Sequence, residues 1–354
     1  MSSTISPPNF PGLVDSRGAE RRFDAHITGC CASRDNSLLA FSTGEGDVIL
    51  APRAELKTPD AWVVSQVHDG PALAIAPDVS GDAFLTGGED CRLKRTSSTR
   101  TVEEVARSKR WIEHVTTFSQ GKTALIAFAS GKEAQLWAGG GSEPLRTFEH
   151  ASTVSGLAFD GKGKRLAASH YNGLSLWFVQ SKDSKPRLLE WKGSHLGVAI
   201  HPAGEAVVTA MQENELHGWR LSDGHNMRMS GYPSKIGSMA FTRNGKWLAT
   251  SGADCVVMWP FFGGGPIGKP PMETPGIPGV NCTRVATHPT QDIVAAGFAD
   301  GAVLMVDYTS HRVLPVCAAA GGPVSALAFS SDGCVLGYGT EDGRIGALDL
   351  TAPD

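Results

Sequence analysis

The feature that most constrains this chain is a short sequence unit that recurs eight times along it. Each copy has a small apolar strand, a turn of Gly, Asp or Asn, a second apolar strand, a second polar turn, and a third strand that often ends in Trp. The clearest copy runs from Val324 to Leu350. A unit this short cannot bury its own apolar faces, so its repetition predicts sheets that pack on one another around a common axis.

The period of the repeat can be read from the tryptophans that close the third strands. These residues, separated by steps of 40, 42 and 40, are Trp137, Trp177, Trp219 and Trp259. Such a spacing is typical of a four-stranded propeller blade. The same position falls upstream near Ala51 and Arg95 and downstream at Val306 and Leu348, which gives eight units.

These residues resemble the WD-repeat (WD40) β-propeller family. Its signature is Gly-His before the first strand, Asp in the turn between the second and third strands, and Trp-Asp at the end of the third strand. His150 precedes the strand-opening Val154 by four residues, as the histidine of the family does. The resemblance covers almost the whole chain and implies structural roles for Asp90, Trp137, His150, Trp177, Trp219, Asp254, Trp259, Asp300 and Asp342.

The predicted fold is all-β, an eight-bladed propeller of four-stranded antiparallel blades. The eighth unit stops at Leu350, one strand short, whereas the extended segment Glu20–Asp24 has no local partner. We expect this N-terminal strand to close the last blade, which removes an exposed edge. The alternative is a seven-bladed ring with the first unit displaced. The expected boundaries are a flexible N-terminal tail at 1–19, one propeller domain at 20–350 and a C-terminal tail at 351–354.

Composition narrows the class of partner and the compartment. The net charge of −4 and the absence of a basic stripe interleaved with aromatics disfavour nucleic-acid binding. The seven cysteines contain no C-x-x-C pair, so neither a disulfide framework nor a zinc ribbon is indicated, and the pair His26 and Cys30 is the one metal-binding alternative. No apolar run is long enough to cross a bilayer, and the N-terminal sequence lacks an export signal. We therefore expect a cytoplasmic protein without a membrane partner.

Catalytic chemistry is not favoured by the predicted innermost strands, which would line a central channel. They are rich in Ser, Thr, Gly and Ala, and their strong polar groups are limited to His114, His195 and Arg284. The strands supply no carboxylate that could serve as a metal ligand or as a general base. We expect no enzyme activity, catalytic residue, metal or cofactor. The alternative is a propeller enzyme or small-ligand receptor in which these three residues converge at the channel.

The two sets of turns differ in charge. In the family, the turns between second and third strands lie on the top face, and here they carry eleven acids against three bases. The acids are Glu45, Asp47, Glu89, Asp90, Glu133, Glu213, Glu215, Asp254, Asp300, Glu341 and Asp342. Four of them are the turn Asp of the repeat itself, which a local hydrogen bond can explain. The others predict an acidic top face that docks a basic peptide or protein segment.

Several aromatic residues are candidate anchors for such a partner, because aromatics are enriched where proteins bind. Trp111 and Trp191 precede first strands, Tyr171 adjoins a turn, and Phe261 and Phe262 begin a Pro-rich arm. Core burial is expected for at least one of the two phenylalanines. The sequence thus predicts a non-catalytic interaction scaffold of the WD40-repeat type, whose partner-binding candidates are Glu45, Glu89, Trp111, Glu133, Tyr171, Trp191, Glu213, Phe261 and Phe262.

Overall fold

The computed structural model describes residues 12–181 and 185–351, which are almost entirely β-structure. One short helix, α1 (Leu13–Arg17), precedes the strands, and two 3-10 turns occur at Arg53–Glu55 and Pro59–Ala61. The strands up to the third unit are β1 (Gly18–Arg22), β2 (Ile27–Ala32), β3 (Leu38–Thr43), β4 (Asp47–Pro52), β5 (Val63–Gln66), β6 (Ala72–Pro77), β7 (Ala83–Gly88), β8 (Arg92–Ser97), β9 (Val102–Arg107), β10 (His114–Gln120), β11 (Thr123–Ser130), β12 (Glu133–Ala138) and β13 (Pro144–Glu149).

The remaining strands belong to units four to eight. They are β14 (Gly156–Phe159), β15 (Arg165–Phe178), β16 (Arg187–Ile200), β17 (Ala206–Met211), β18 (Leu216–Arg220), β19 (Asn226–Met229), β20 (Met239–Phe241), β21 (Trp247–Thr250), β22 (Val257–Pro260), β23 (Met272–Glu273), β24 (Cys282–Thr287), β25 (Ile293–Phe298), β26 (Val303–Asp307), β27 (Val313–Cys317), β28 (Val324–Phe329), β29 (Val335–Thr340) and β30 (Arg344–Asp349).

The innermost strands form a closed ring. Each contacts the next, and the last contacts the first, in the order β2, β6, β10, β14, β16, β20, β24 and β28. Strand β16 contributes its second half, where Val198 pairs with Thr209 of β17. Pairing within the sheets is antiparallel, so the all-β propeller prediction is confirmed.

The described residues form seven separate sheets, which corrects the main expectation of eight and equals the number in the alternative. Six sheets have four strands, and one has six, in the order β14-β15-β16-β17-β18-β19. In that sheet β15 and β16 each extend over 14 residues. Their regular pairing ends where Gly173 lies opposite Glu190, and beyond that point Tyr171 pairs with Ser194. Units four and five therefore share one sheet, while eight innermost strands remain and the first unit keeps its place.

The predicted closure by an N-terminal strand is confirmed. Strand β1 pairs antiparallel with β30 from Gly18 opposite Leu348 to Arg22 opposite Arg344, slightly earlier than expected. Its Glu20 carboxylate accepts hydrogen bonds from the Tyr338 hydroxyl and from the Arg344 guanidinium, the latter at 3.1 Å. The two ends of the described chain are thus held in one sheet.

The expected flexible tail at 1–19 requires a correction for its last residues. Helix α1 packs beside the closing sheet, and Val14 is only 4% exposed in a cluster with Val316 and Leu348. The physical reason is the apolar pair Leu13 and Val14, which finds a partner surface in the last two units. Residues 1–11 and 352–354 lie outside the described part, and the single-domain boundary at 20–350 stays a prediction.

The core lies between neighbouring sheets as well as within them. Small residues on the second and third strands allow this close approach. At Gly346 in β30 an added Cβ would collide with the ring of Tyr338, its partner on β29. The glycine therefore makes room for a fully buried tyrosine whose hydroxyl reaches Glu20.

Candidate interaction surface

Two kinds of loop share one end of the ring, which we call the top face. They are the turns between second and third strands and the loops that enter the next first strand. Backbone hydrogen bonds join them, as from Ile112 N to Gly88 O at 3.1 Å and from His150 N to Lys132 O at 2.9 Å. The same link recurs from Glu341 N to Pro323 O at 2.9 Å. Side chains of both kinds of loop therefore form one surface.

Beneath the top face, buried histidines connect the loops to the strands. In the fourth unit, Trp177 donates from Nε1 to Nε2 of His150 at 3.1 Å, and Nδ1 of His150 lies 3.1 Å from the Lys132 carbonyl. Because the indole N–H only donates, Nε2 must accept, and His150 is neutral. Burial accordingly lowers the pKa of His150 to about 4. These bonds fix the loop geometry from below.

The second unit has a charged version of the same network. His68 lies 2.9 Å from an Asp90 carboxylate oxygen through Nδ1 and 2.8 Å from the Thr86 hydroxyl through Nε2. The Lys94 ammonium is 3.3 Å from the other carboxylate oxygen. Asp90 is thus engaged inside the unit, and its carboxylate is not available to a partner.

The sequence did not reveal every member of these networks. His170 bonds Ser175 at 2.9 Å beside His150, and in the sixth unit Tyr232 stands where a histidine would be expected. The Tyr232 hydroxyl accepts from Trp259 Nε1 at 2.6 Å and lies 2.6 Å from the Thr250 hydroxyl. A tyrosine in place of histidine carries no family signal, which is why it was missed.

The other residues assigned to the repeat have local roles in the structure. Trp137, Trp177, Trp219 and Trp259 are between 2% and 7% exposed. Three of the turn aspartates bond their own or neighbouring loops: Asp254 accepts from Gly279 N at 3.2 Å, Asp300 from Ala302 N at 3.0 Å, and Asp342 pairs with Arg22 at 3.0 Å.

The acidic residues of the top face divide into engaged and available carboxylates. Glu215 is buried and bonded by both Nε and Nη2 of Arg228, at 2.8 and 2.6 Å. Glu133 accepts from the Gln135 amide at 2.6 Å. Within residues 12–181 and 185–351, four glutamates of the turns between second and third strands have no hydrogen-bond or ion-pair partner for their side chains: Glu45, Glu89, Glu213 and Glu341. Burial and the nearby Glu45 charge raise the pKa of Asp47.

The aromatic candidates separate by exposure. Trp111 is 51% exposed and Tyr171 is 58% exposed, both on the top face. Trp191 is half-buried, stacks on His217 with ring centres 4.0 Å apart, and receives a hydrogen bond from His195 on its carbonyl.

The two phenylalanines of the Pro-rich arm differ from each other. Phe261 is 8% exposed and packs on Phe241, which corrects its assignment as a partner contact because its face belongs to the core. Phe262 is 45% exposed and lies against Trp247 and the Lys269 ammonium. The backbone N–H of Phe261 donates to the Lys246 carbonyl, which lies in a turn between first and second strands. Phe262 therefore lies at the face opposite the top face.

The three polar residues predicted for the channel lie in different units, and His195 and Arg284 each have their own hydrogen-bond partners. His195 bonds Thr209 at 2.7 Å and the Trp191 carbonyl at 2.9 Å within its own unit. Arg284 donates to the carbonyls of Ser325 at 2.7 Å and of Thr283 at 3.0 Å. Burial lowers the pKa of His114 to about 4. Among the described residues, no hydrogen bond or ion pair joins any two of the three.

Comparison with known families identifies the repeat. The WD40 model, described as "WD domain, G-beta repeat", matches residues 142–177 and 224–259. The first match contains His150 and Trp177, and the second contains Asp254 and Trp259. The chain therefore contains WD40 repeats within a β-propeller fold.

Curated relatives of this WD40 propeller carry one common description, serine-threonine kinase receptor-associated protein. The chain is 19% identical over 230 residues to that of Bos taurus, covering 65% of this chain and 64% of the relative. It is 24% identical over 238 residues to that of Dictyostelium discoideum, covering 65% of this chain and 75% of the relative. The match therefore spans just under two thirds of the bovine protein's length.

A solved structure resembles the WD40 propeller over nearly its full length. The crystal structure of the computationally designed Ika8 protein aligns with a TM-score of 0.74 at 16% identity, covering 93% of this chain and 98% of the other. At this identity the likeness supports the fold alone.

Among residues 12–181 and 185–351, no group of three or more His, Cys, Asp or Glu side chains is arranged to hold a metal ion. In the same ranges, no helix has the length and apolar character needed to cross a membrane.

Proposed function

We propose that this WD40 propeller is a non-catalytic scaffold that binds a basic segment of a partner protein on its acidic top face. The observation that carries this proposal is the group of unpaired glutamates, Glu45, Glu89, Glu213 and Glu341, on one surface of the ring. Carboxylates without an internal partner retain their charge for an incoming ligand. We call these four glutamates the acidic rim. A group of like charges on one surface raises the encounter rate with an oppositely charged partner.

The rigidity of the loops supports the same proposal. The backbone links to Gly88, Lys132 and Pro323 and the buried histidines hold the rim in place before a partner arrives. A preorganised surface loses less conformational entropy on binding. Trp111 and Tyr171 offer exposed aromatic faces on this surface as anchors. The description of the relatives as receptor-associated proteins agrees with a protein as partner.

The absence of catalysis is part of the proposal. The side chains of Arg284 and His195 form hydrogen bonds with internal carbonyl and hydroxyl groups, and burial holds His114 neutral. A channel reaction would need these groups to face a common reacting atom. Their separate use favours a binding role for the ring.

The test compares the wild type with a rim variant, Glu45→Lys/Glu89→Lys/Glu213→Lys. Its matched control, Glu55→Lys/Asp60→Lys/Glu143→Lys, makes the same charge change in connections between third and fourth strands, on the opposite face. Each protein captures partners from a cell lysate at low and moderate salt, and the affinity for a recovered partner is then measured.

We expect the partner to bind the wild type and the control, to bind the rim variant at least ~tenfold more weakly, and to dissociate as salt rises. A partner that binds all three proteins equally at low salt would refute the role of the rim.

A further inference from the structure

An apolar patch lies on the face opposite the top face, at the Pro-rich arm of the sixth unit. Phe262 and Ile267 are large apolar side chains of this arm with 45% and 50% of their surface exposed. Residues 261–271 of the arm connect β22 to β23 and pack on residues 242–247, the turn between β20 and β21 with the adjoining Trp247. We call these two segments the arm patch. Phe262 thus lies on a different face from the acidic rim.

The ammonium group of Lys269 holds the arm in shape. Lys269 Nζ donates to the carbonyl oxygen of Phe262. It also donates to the carbonyl oxygens of Gly263 and Gly265, both at 3.0 Å, and it lies 5.0 Å from the centre of the Phe262 ring. The edge of the arm is completed by Trp247, whose ring centre is 5.3 Å from that of Phe262. Phe262 is therefore positioned before a partner binds.

Further contacts attach the arm to the body of the propeller. Phe261 N donates to the Lys246 carbonyl at 2.8 Å, and the Phe261 ring packs on Phe241 with ring centres 4.9 Å apart. At the outer end of the arm, Lys269 N donates to the Pro266 carbonyl at 3.1 Å. This bond closes the turn that contains Ile267. Both exposed apolar side chains therefore belong to a hydrogen-bonded backbone.

The arm patch carries three cations and no acid. In residues 242–247 and 261–271 the charged residues are Arg243, Lys246 and Lys269. The Lys246 side chain has no hydrogen-bond or ion-pair partner within residues 12–181 and 185–351. Arg243 donates to the Pro289 carbonyl at 3.5 Å, which leaves its charge without a counterion there. The exposed apolar side chains are thus surrounded by positive charge.

The turns on either side of the arm patch contribute two acids. Glu205 belongs to the turn of the fifth unit, which meets the arm patch where the His201 ring lies 2.9 Å from the Gly245 carbonyl. Asp292 precedes β25 in the seventh unit and accepts a hydrogen bond from the Tyr308 hydroxyl at 2.7 Å. Three cations against these two acids still leave the region positive.

The number of cations favours a peptide over a lipid surface as the occupant. Binding to anionic lipid takes a cluster of roughly 4–8 Lys or Arg residues. The arm patch has three, and the ammonium of Lys269 is already bonded to carbonyls of the arm. A peptide carboxylate needs only one cation, with which it forms a charge-assisted hydrogen bond.

We propose that the arm patch is a second docking site, which binds an acidic segment of a partner protein in which carboxylates flank an apolar side chain. The apolar side chain packs on Phe262 and Ile267, and the carboxylates pair with Arg243 and Lys246. The proposal rests on charge complementarity and on the ordered arm, and it does not depend on the acidic rim. A partner with a basic and an acidic stretch could contact both faces of the ring.

The test uses a displayed library of random 12-residue peptides selected on the wild type. The most enriched acidic peptide is synthesised, and its dissociation constant is measured at low and moderate salt with the wild type and four variants. These are the charge variant Arg243→Glu/Lys246→Glu, the apolar variant Phe262→Ser/Ile267→Ser, the control Lys162→Glu/Lys164→Glu and the rim variant described above. The control makes the same charge change at two exposed lysines of a turn on the same face, in the fourth unit.

Two further measurements accompany the affinities. Thermal unfolding followed by circular dichroism shows that each variant is folded. Sedimentation with vesicles of phosphatidylcholine and phosphatidylserine in equal parts measures binding to an anionic lipid surface.

We expect the wild type to enrich peptides that carry Asp or Glu on both sides of an apolar residue. The charge variant should bind the synthesised peptide at least ~tenfold more weakly and with less dependence on salt. The apolar variant should also bind more weakly, with its salt dependence unchanged. The control and the rim variant should bind within about twofold of the wild type, because their changes are distant from the arm patch.

Two results with peptides would overturn the proposal: no enrichment of acidic peptides on the wild type, or equal affinity of the folded charge variant and the wild type. Sedimentation with vesicles that is lost in the charge and apolar variants, without any acidic peptide, would overturn it in favour of a lipid surface. Failure of the rim proposal is a separate result, in which a partner from the lysate binds the wild type and the rim variant equally. The two proposals can therefore fail independently.

Discussion

The closing sheet, formed by β1 and β28 to β30, and the six-stranded sheet each join two parts of the chain into one sheet, but they do so through different contacts. The closing sheet takes β1 from one end of the described chain and β28 to β30 from the other, so its fourth strand is more than 300 residues distant in sequence. The six-stranded sheet draws only on residues 156–229, and its two units are joined by the pair Tyr171 and Ser194. The first sheet is secured by charged side chains and the second by turn geometry.

The chemistry of the two joints follows from this difference. A strand that returns from far along the chain must be recognised, and Glu20 is met by Arg344 and by Tyr338. The joint between units four and five is made by short contacts of a turn. The turn at Asn172 and Gly173, with φ angles of 65° and 135°, accepts a hydrogen bond from Gly193 N on the Asn172 side-chain oxygen at 3.3 Å. We therefore expect changes at the closing sheet to cost more stability than changes at the joint.

Removing the N-terminal strand should have the largest effect. Deleting residues 1–22 takes away β1 and exposes the edge of β30, with an expected loss on the order of 5 kcal/mol, comparable with the whole stability of many domains. Deleting residues 1–17 removes helix α1 and the buried Val14, and should cost roughly 1.5–3 kcal/mol. Urea unfolding measures both.

A synthetic peptide of residues 12–24 should partly restore the stability of the longer deletion when it is added in trans. Equal losses for the two deletions would mean that β1 contributes nothing beyond the helix, and would contradict the role assigned to the closing strand.

The ion pair inside the closing sheet should have the next largest effect. The Arg344 side chain is 6% exposed, and Arg344→Met leaves the carboxylate of Glu20 without its cation. Breaking a buried pair from one side costs about 3–5 kcal/mol, and we expect the lower end because Glu20 is 35% exposed.

The matched control for Arg344→Met is Arg22→Met, which breaks the exposed pair with Asp342 in the same sheet. It should cost less than about 1 kcal/mol. Comparable losses in urea unfolding for the two variants would show that burial of the pair is not what matters.

The sequence predicted the closing joint better than the six-stranded one. An incomplete last unit and an orphan extended segment at Glu20 are both visible without coordinates. The merging of units four and five is not visible in this way, because it depends on Tyr171 and Ser194 meeting across a loop. Spacing specifies the number of units, whereas hydrogen bonding between their edges determines the number of sheets.

The candidate surface shows the same limit. Glu45, Glu89 and Glu213 could be placed on one face from the repeat alone. The cavity that Arg110 and Lys132 line could not, because the loop that enters the third unit and a turn further along the same unit meet there only in the folded chain. Whether a carboxylate is already paired within the protein, as Glu215 is with Arg228, is also visible only in the structure.

The pH dependence of stability should separate the two sheets. Burial lowers the pKa of both His150 and His217, which pack in the six-stranded sheet, to about 4. An unfolded histidine has a pKa near 6.5, so the unfolded state binds more protons between pH 6.5 and 4, and stability falls as the pH is lowered through this range. Each histidine should cost roughly 2 kcal/mol between pH 6.5 and 5.

The closing sheet titrates at lower pH. Burial would raise the pKa of Asp342, yet hydrogen bonds from Thr340 and the pairing with Arg22 hold it below the usual value. Its contribution is present above the unfolded pKa and is lost only in more acidic solution. The difference between the unfolding free energies at pH 7.5 and 5.0 should therefore shrink by roughly 4 kcal/mol in the double variant His150→Gln/His217→Gln, while the contribution of other buried histidines such as His114 remains. An unchanged difference would place the titration elsewhere.

The turn at Asn172 should give the smallest effect. Its positive φ of 65° is unfavourable for most side chains, so Asn172→Ala should cost about 1–2 kcal/mol in urea unfolding. Asn172→Gly keeps the backbone conformation and loses only the 3.3 Å hydrogen bond from Gly193 N to the side-chain oxygen, so it should change stability by a few tenths of a kcal/mol. If Gly is as damaging as Ala, the joint between the two units depends on that side-chain bond, and the contrast with the closing sheet is one of degree.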